Sequence, residues 1–283
     1  MNDFRSGKSF PRTPSILLGL ALFVLSLTGC EKIRSYFRPG PKPGVATHER
    51  EAPPSKPPRK TPSNAPRLAI ILDDLGSDQA AAEAIFALPY PLTISVLPNH
   101  EHSVAIAEKA NSRGVQVMLH LPMESLANQA PEPQELHIGM SAPQVRETLK
   151  AMLSEVPYVE GVNNHQGSRA TSDPALMNEL MPALRARKLF FIDSRTTAAT
   201  VAFDAAERDH VRCAFRNVPF LDDVQDETAI RGQLELAIRG AKEKGQAIAI
   251  GHPHPETLRA LKAMLPQAEA QGVRLVHASD LVH

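Results

Sequence analysis

Arg67-Leu68-Ala69-Ile70-Ile71-Leu72-Asp73-Asp74-Leu75-Gly76 governs how the rest of the chain is read. The five apolar residues at 68–72 leave no polar face, the pattern of a strand buried on both sides in a parallel sheet. Two carboxylates follow at the strand's end, where α/β proteins keep their chemistry. Neighbouring side chains on a strand alternate, so Asp73 and Asp74 are expected to point in opposite senses. One suits cation binding and the other acid–base work. The competing use is a helix N-cap, with Gly76 marking the turn.

Outward from this strand the pattern alternates. Apolar runs at 93–97, 115–119, 189–192, 247–250 and 273–276 read as strands, with weaker ones at 159–162 and 211–214. Helical stretches fall at 79–88, 103–113, 141–155, 174–187, 200–208, 226–244 and 255–270. Their punctuation is explicit: Ser141 as an N-cap, Pro174 at a first helical position, and Gly114 and Gly245 as stops. Repeated strand–helix units imply a parallel sheet with helices outside. Their number predicts an α/β fold, a distorted or incomplete (β/α) barrel of about seven parallel strands, over residues 67–283. An open doubly wound sheet is the alternative.

The N-terminal 66 residues read differently. Arg5, Lys8 and Arg12 precede an apolar run at 16–27, shorter than the ~20 residues a membrane span needs. The run closes on Leu27-Thr28-Gly29-Cys30. This resembles a bacterial lipoprotein signal with its lipobox, a transmembrane anchor being the other reading. The resemblance implies a signal peptide at 1–30, lipidation at Cys30, export, and anchoring in the cell envelope on the periplasmic side. Glu31 in place of Asp favours the outer membrane. Residues 31–66 carry Pro39, Pro41, Pro43, Pro53, Pro54, Pro57, Pro58, Pro62 and Pro66 among basic residues, which predicts a Pro-rich disordered tether.

Composition narrows the function classes. Lys+Arg and Asp+Glu each total 31, and this neutral balance argues against a nucleic-acid partner. With 2 Cys there is no disulfide framework. Hydrophobic residues at 42% suffice for a packed core.

The strand ends carry the ionisable groups: Asp73-Asp74, Pro98-Asn99-His100, His120-Leu121-Pro122-Met123-Glu124, Asn163-Asn164-His165, Asp193-Ser194-Arg195 and Gly251-His252-Pro253-His254. Five of the 11 His fall in these corners. Imidazole and carboxylate without thiolate fits a divalent transition metal, Zn foremost, with Mn, Co or Ni also suited.

Five of these motifs, all but Pro98-Asn99-His100, with Gly167-Ser168 after His165 and Phe191-Ile192 before Asp193, resemble the divergent polysaccharide deacetylase family, a branch of the NodB-type carbohydrate esterases. The resemblance covers residues 67–283. It implies a metal-dependent hydrolase that removes acetyl groups from an envelope polysaccharide or peptidoglycan. It further implies Asp73 as general base, Asp74 and His120 as metal ligands, and His252 as general acid, with His254 beside it as a competitor. The sequence departs from the parent pattern in one motif, where His120-x-x-x-Glu124 replaces His-x-x-x-His. Glu124 or His165 could replace the missing imidazole, and His165 is the expected one, since one Asp and two His leave a position open for water. Glu124 and Asp193 are then expected as substrate-binding residues, each with a competing use as a helix cap. The chain has no Trp and 5% aromatics, and the parent's aromatic groove motifs are absent, so stacking on a long sugar chain is not supported. The alternative function is a catalytically weak glycan- or partner-binding protein on the same fold. The polar stretch at 125–139 suits either a lid or an ordered loop.

Overall fold

A computed structural model describes residues 64–127 and 132–283. The expected signal peptide, the lipidation site Cys30 and the tether up to residue 63 lie outside the described residues. Fifteen helices and strands follow in order: β1 (Arg67–Leu75), α1 (Gln79–Phe86), β2 (Thr93–Val96), α2 (Ser103–Ser112), β3 (Gln116–Met123), α3 (Ala142–Glu155), β4 (Gly161–Gln166), α4 (Pro174–Ala186), β5 (Phe190–Asp193), α5 (Ala202–Arg208), β6 (Cys213–Phe215), α6 (Glu227–Lys244), β7 (Gln246–Gly251), α7 (Pro255–Ala270) and β8 (Arg274–Val276).

All strand pairings are parallel, in the order β6-β5-β4-β3-β2-β1-β7, with β8 paired to the first half of β1. The result is a nearly closed (β/α) barrel of seven parallel strands. The gap between β6 and β7 is bridged by the segment after β6. Asn217 N–H donates to Ile248 O at 3.0 Å, Leu221 N–H donates to Ile250 O at 2.9 Å, and Asn217 Oδ1 accepts from Ile248 N–H at 2.6 Å.

The period of two sorts each strand between two cores. Leu68, Ile70 and Leu72 face the helices, whereas Ala69 and Ile71 join Met118, Phe190, Ile192, Ile248 and Ile250 inside the barrel. The barrel is thus filled, as such interiors are. One close approach shows how tightly: a Cβ on Gly161 would lie 2.3 Å from the Phe190 ring, so only glycine fits opposite that ring. The same inward face continues up β3 to His120, up β4 to Asn163 and beyond β7 to His252, so the mouth is polar where the floor is apolar.

Helix punctuation follows the sequence closely. Ser141 forms a capping box with Gln144, Asp173 caps α4 ahead of Pro174, and Gly245 ends α6 in the left-handed region at φ 84°. The N-cap of α1 is Asp78, which leaves Asp73 and Asp74 free of that duty. Three expectations change. First, β3 and β4 extend to Met123 and Gln166, so His120 and His165 lie on strands and not on the loops after them. Polar side chains facing the barrel mouth hid these extensions. Second, the ordered fold starts before 67: Ala65 is buried and Pro66 O accepts from Arg274 N–H at 2.8 Å. Third, Asp73 and Asp74 do not alternate. Asp74 sits at φ 57°, and the register of β1 against β2 slips between Leu72 and Leu75, a bulge that turns both carboxylates to the same mouth. Asp tolerates the left-handed region better than most residues.

Candidate active site

A cleft of about 240 Å³ at the C-terminal mouth is lined by Asp73, Asp74, His120, Asn164, His165, Gln166, Thr196, Phe220, Asp223 and His252. A larger cleft of about 430 Å³ lies between α6 and α7 but holds no imidazole. The smaller one holds the ionisable cluster.

Asp74, His120 and His165 each offer one ligand atom, and all three atoms lie within 4.8 Å of one another. His120 Nε2 is 3.1 Å from Asp74 Oδ1, and His165 Nδ1 is 3.0 Å from the same oxygen. The two rings meet edge to face at 4.8 Å. One carboxylate and two imidazoles at that spacing form a donor set suited to a divalent transition ion with open positions. Asn163 supports the fit. Its Oδ1 accepts from His120 Nδ1 at 2.9 Å, which turns His120 Nε2 towards Asp74.

Asn163 also serves Asp73. Its amide donates to both Asp73 oxygens, at 2.9 and 3.1 Å, and to Ser194 Oγ at 3.2 Å, while Ser95 donates to its Oδ1. One buried side chain therefore holds the two residues that the family resemblance separates into base and ligand. Its motif was legible in the sequence; its part was not, because an Asn in a strand gives no signal of its partners.

The electrostatics separate the two carboxylates. Burial pushes the Asp73 carboxyl above its ordinary value, and nearby Asp74 adds to this, while His120, His252 and Asn163 oppose it without prevailing. Burial acts on Asp74 in the same direction, but hydrogen bonds and charge from His120 and His165 hold it well below the carboxylate range. His120 is raised: burial lowers it, and the charges of Asp73 and Asp74 outweigh that.

His252 enters from the opposite side, with Nε2 3.7 Å from Asp74 Oδ2. Asp222, which the sequence reading passed over, holds its other face. Asp222 Oδ1 lies 2.9 Å from His252 Nδ1, and Oδ2 accepts from His252 N–H at 2.6 Å and from Thr257 Oγ1 at 2.7 Å. Burial would lower the His252 imidazole, but Asp222, with Asp73 and Asp74, pushes it up to about 9. Nothing in the spacing links positions 222 and 252; only the closure of the barrel by the segment after β6 does. His254 lies against Gln225 at 3.0 Å and does not line the cleft, whereas His252 does. Asp222, His252 and His254 also cluster within 4.8 Å. Both Asp222 oxygens, however, are already engaged.

Two expected substrate contacts fall elsewhere. The Glu124 carboxylate accepts from Ile138 N–H at 2.9 Å and pairs with Arg169 at 3.2 Å, fastening the loop after β3. Asp193 Oδ1 accepts from Arg195 N–H at 2.8 Å and Oδ2 from Thr200 Oγ1 at 2.9 Å, bracing the turn after β5. Neither lines the cleft. Thr196, Phe220 and Asp223 line it instead, and no pattern in the sequence marks them. The described part of the stretch at 125–139 is ordered along β3, with Leu136 N–H donating to Pro122 O and Glu124 N–H to Leu136 O, both at 2.9 Å.

Residues 70–282 match the family model described as divergent polysaccharide deacetylase. The chain belongs to this family. The uncharacterized protein YibQ of Escherichia coli is 39% identical over 223 residues, covering 79% of this chain and 69% of that one. An uncharacterized protein of Haemophilus influenzae is 40% identical over 199 residues, covering 70% and 71%. Among solved structures, an uncharacterized protein from Agrobacterium tumefaciens aligns with TM-score 0.73 at 25% identity, over 77% of this chain and 89% of that one. A deacetylase determined with substrate aligns at TM-score 0.50 and 15% identity, over 77% and 90%, which speaks for the fold alone. The divergent polysaccharide deacetylase chain thus carries a nearly closed barrel whose mouth brings His165 of β4 beside Asp74 and His120.

Proposed function

We propose that this chain is a metal-dependent hydrolase that removes acetyl groups from an envelope glycan, peptidoglycan included. The observation that carries the reading is the convergence of Asp74, His120 and His165 beside a buried, proton-hungry Asp73, with His252 across the mouth. A divalent ion, Zn foremost, held by Asp74 Oδ, His120 Nε2 and His165 Nδ1 would polarise the acetyl carbonyl and acidify water. Asp73 then takes a proton from the attacking water, its raised affinity for protons suiting a base. His252 arrives protonated at neutral pH, because Asp222 holds it so, and gives its proton to the leaving amine or alkoxide. Asn163 keeps Asp73 and His120 aligned throughout.

The cleft presents Phe220 as an aromatic wall, so hydrogen bonds with Gln166 and Thr196 and to the Asp223 carboxylate would hold a short stretch of glycan. The N-terminal lipobox pattern supports placement in the envelope on a lipid anchor at Cys30, the outer membrane being favoured by Glu31.

Metal analysis of the purified protein, followed by acetate release from acetylated oligosaccharides and peptidoglycan, tests this. One equivalent of metal is expected, with acetate release abolished in Asp74→Ala and reduced about 10²–10⁴-fold in Asp73→Asn, the usual range for a general base. Glycan binding that survives both substitutions without acetate release from the wild type would favour the binding-protein alternative.

A further inference from the structure

The loop after β3 returns Glu132 to the mouth, between two imidazoles. Glu132 Oε2 is 3.3 Å from His100 Nε2, and Oε1 is 3.7 Å from His165 Nε2. His165 therefore points Nδ1 at Asp74 and Nε2 at Glu132. His100 is fixed in turn: its Nδ1 bonds Ser77 Oγ, its N–H donates to Ser103 Oγ at 3.3 Å, and its Cβ packs where a Cβ on Gly76 would lie, 3.0 Å away. The Glu132 side chain is 21% exposed, so it is held at the rim and not free in solvent.

The chemistry of His165 asks for such a partner. A neutral imidazole that gives its Nδ1 lone pair to a cation carries its proton on Nε2, and that N–H needs an acceptor. The other polar group beside Nε2 is the Gln166 amide nitrogen at 3.4 Å, a donor as placed. We propose that Glu132 is a positioning residue: with an ion in place its carboxylate accepts from His165 Nε2–H, fixing the Nδ1-ligating tautomer, and His100 anchors the carboxylate from behind. Reaching hydrogen-bond length needs about 1 Å of carboxylate movement, which side-chain torsion supplies. The inference rests on the reading of Asp74, His120 and His165 as a cation site. It adds that Glu132, which does not line the cleft, is coupled to occupancy of that site.

Zinc affinity of the full chain, measured by competition with a chromogenic chelator, tests it. Glu132→Gln and Glu132→Ala should each bind zinc about 10–100-fold more weakly than wild type. Their metal-free melting curves should overlay the wild type, because the effect lies in the tautomer and not in the fold. Affinity unchanged in both variants overturns the proposal while leaving the cation site intact. So does a lowered melting point in metal-free variants that bind zinc normally. A wild-type chain that binds no zinc overturns both readings together.

Discussion

Asp222 grips His252 twice, accepting from the ring at Nδ1 (2.9 Å) with one oxygen and from the backbone N–H (2.6 Å) with the other. The carboxylate therefore sets ring orientation, backbone position and charge state of one imidazole. Asp222→Asn keeps the shape and removes the charge. A hydrogen bond to a charged group is worth about 1.5–3 kcal/mol, so the alkaline limb of the pH–rate profile should move down from about pH 9 by one to two units. Acetate release followed from pH 6 to 10 measures it; an unmoved limb would show that Asp222 does not govern the proton donor.

The same pair fixes a stability prediction for the metal-free protein. His252 is raised from 6.5 to about 9, so its contribution is fully present below pH 6.5 and lost as pH rises through 9. It amounts to on the order of 3 kcal/mol. Asp222 is lowered, burial opposing and the His252 bonds prevailing, so its share is present above its ordinary carboxylate value and lost in stronger acid. Melting temperature should fall between pH 7 and 10, and His252→Ala should flatten that slope. An equal slope in both proteins would place its origin elsewhere.

Asn163→Ala strips a buried partner from Asp73, His120 and Ser95 together. Leaving such groups unpaired costs about 1–3 kcal/mol of stability, and loss of the His120 orienter should weaken zinc binding about 10–100-fold. Calorimetric melting and metal titration read the two effects separately, and both are required.

Gly161→Ala forces a methyl group against the Phe190 ring. Overpacking of this kind costs about 1–3 kcal/mol, and Phe190→Leu in the same chain should recover part of it. Additive losses in the double variant would mean that the two residues do not collide.

The barrel was legible because its strands are apolar and its helices are capped by residues with clear local duties, such as Ser141, Asp173 and Gly245. Six strand-end motifs likewise marked where the ionisable groups gather. Side-chain direction was not legible. The expected alternation of Asp73 and Asp74 failed at a bulge that no residue pattern announces. Glu124 and Asp193 looked available because their donors, a backbone N–H of a returning loop and a turn hydroxyl, are set by tertiary structure. Asp222 was invisible for the converse reason: it lies in the irregular segment that bridges β6 to β7, and only that bridge brings it to His252.

The left-handed backbone at Asp74 has a consequence for descent. Asn and Gly occupy that conformation readily, and neither would offer the same carboxylate to a cation. Each is one base change from an aspartate codon. A lineage carrying this barrel could therefore shed the proposed cation site at position 74 with the architecture left standing, and what remains would be a hollow available for another use.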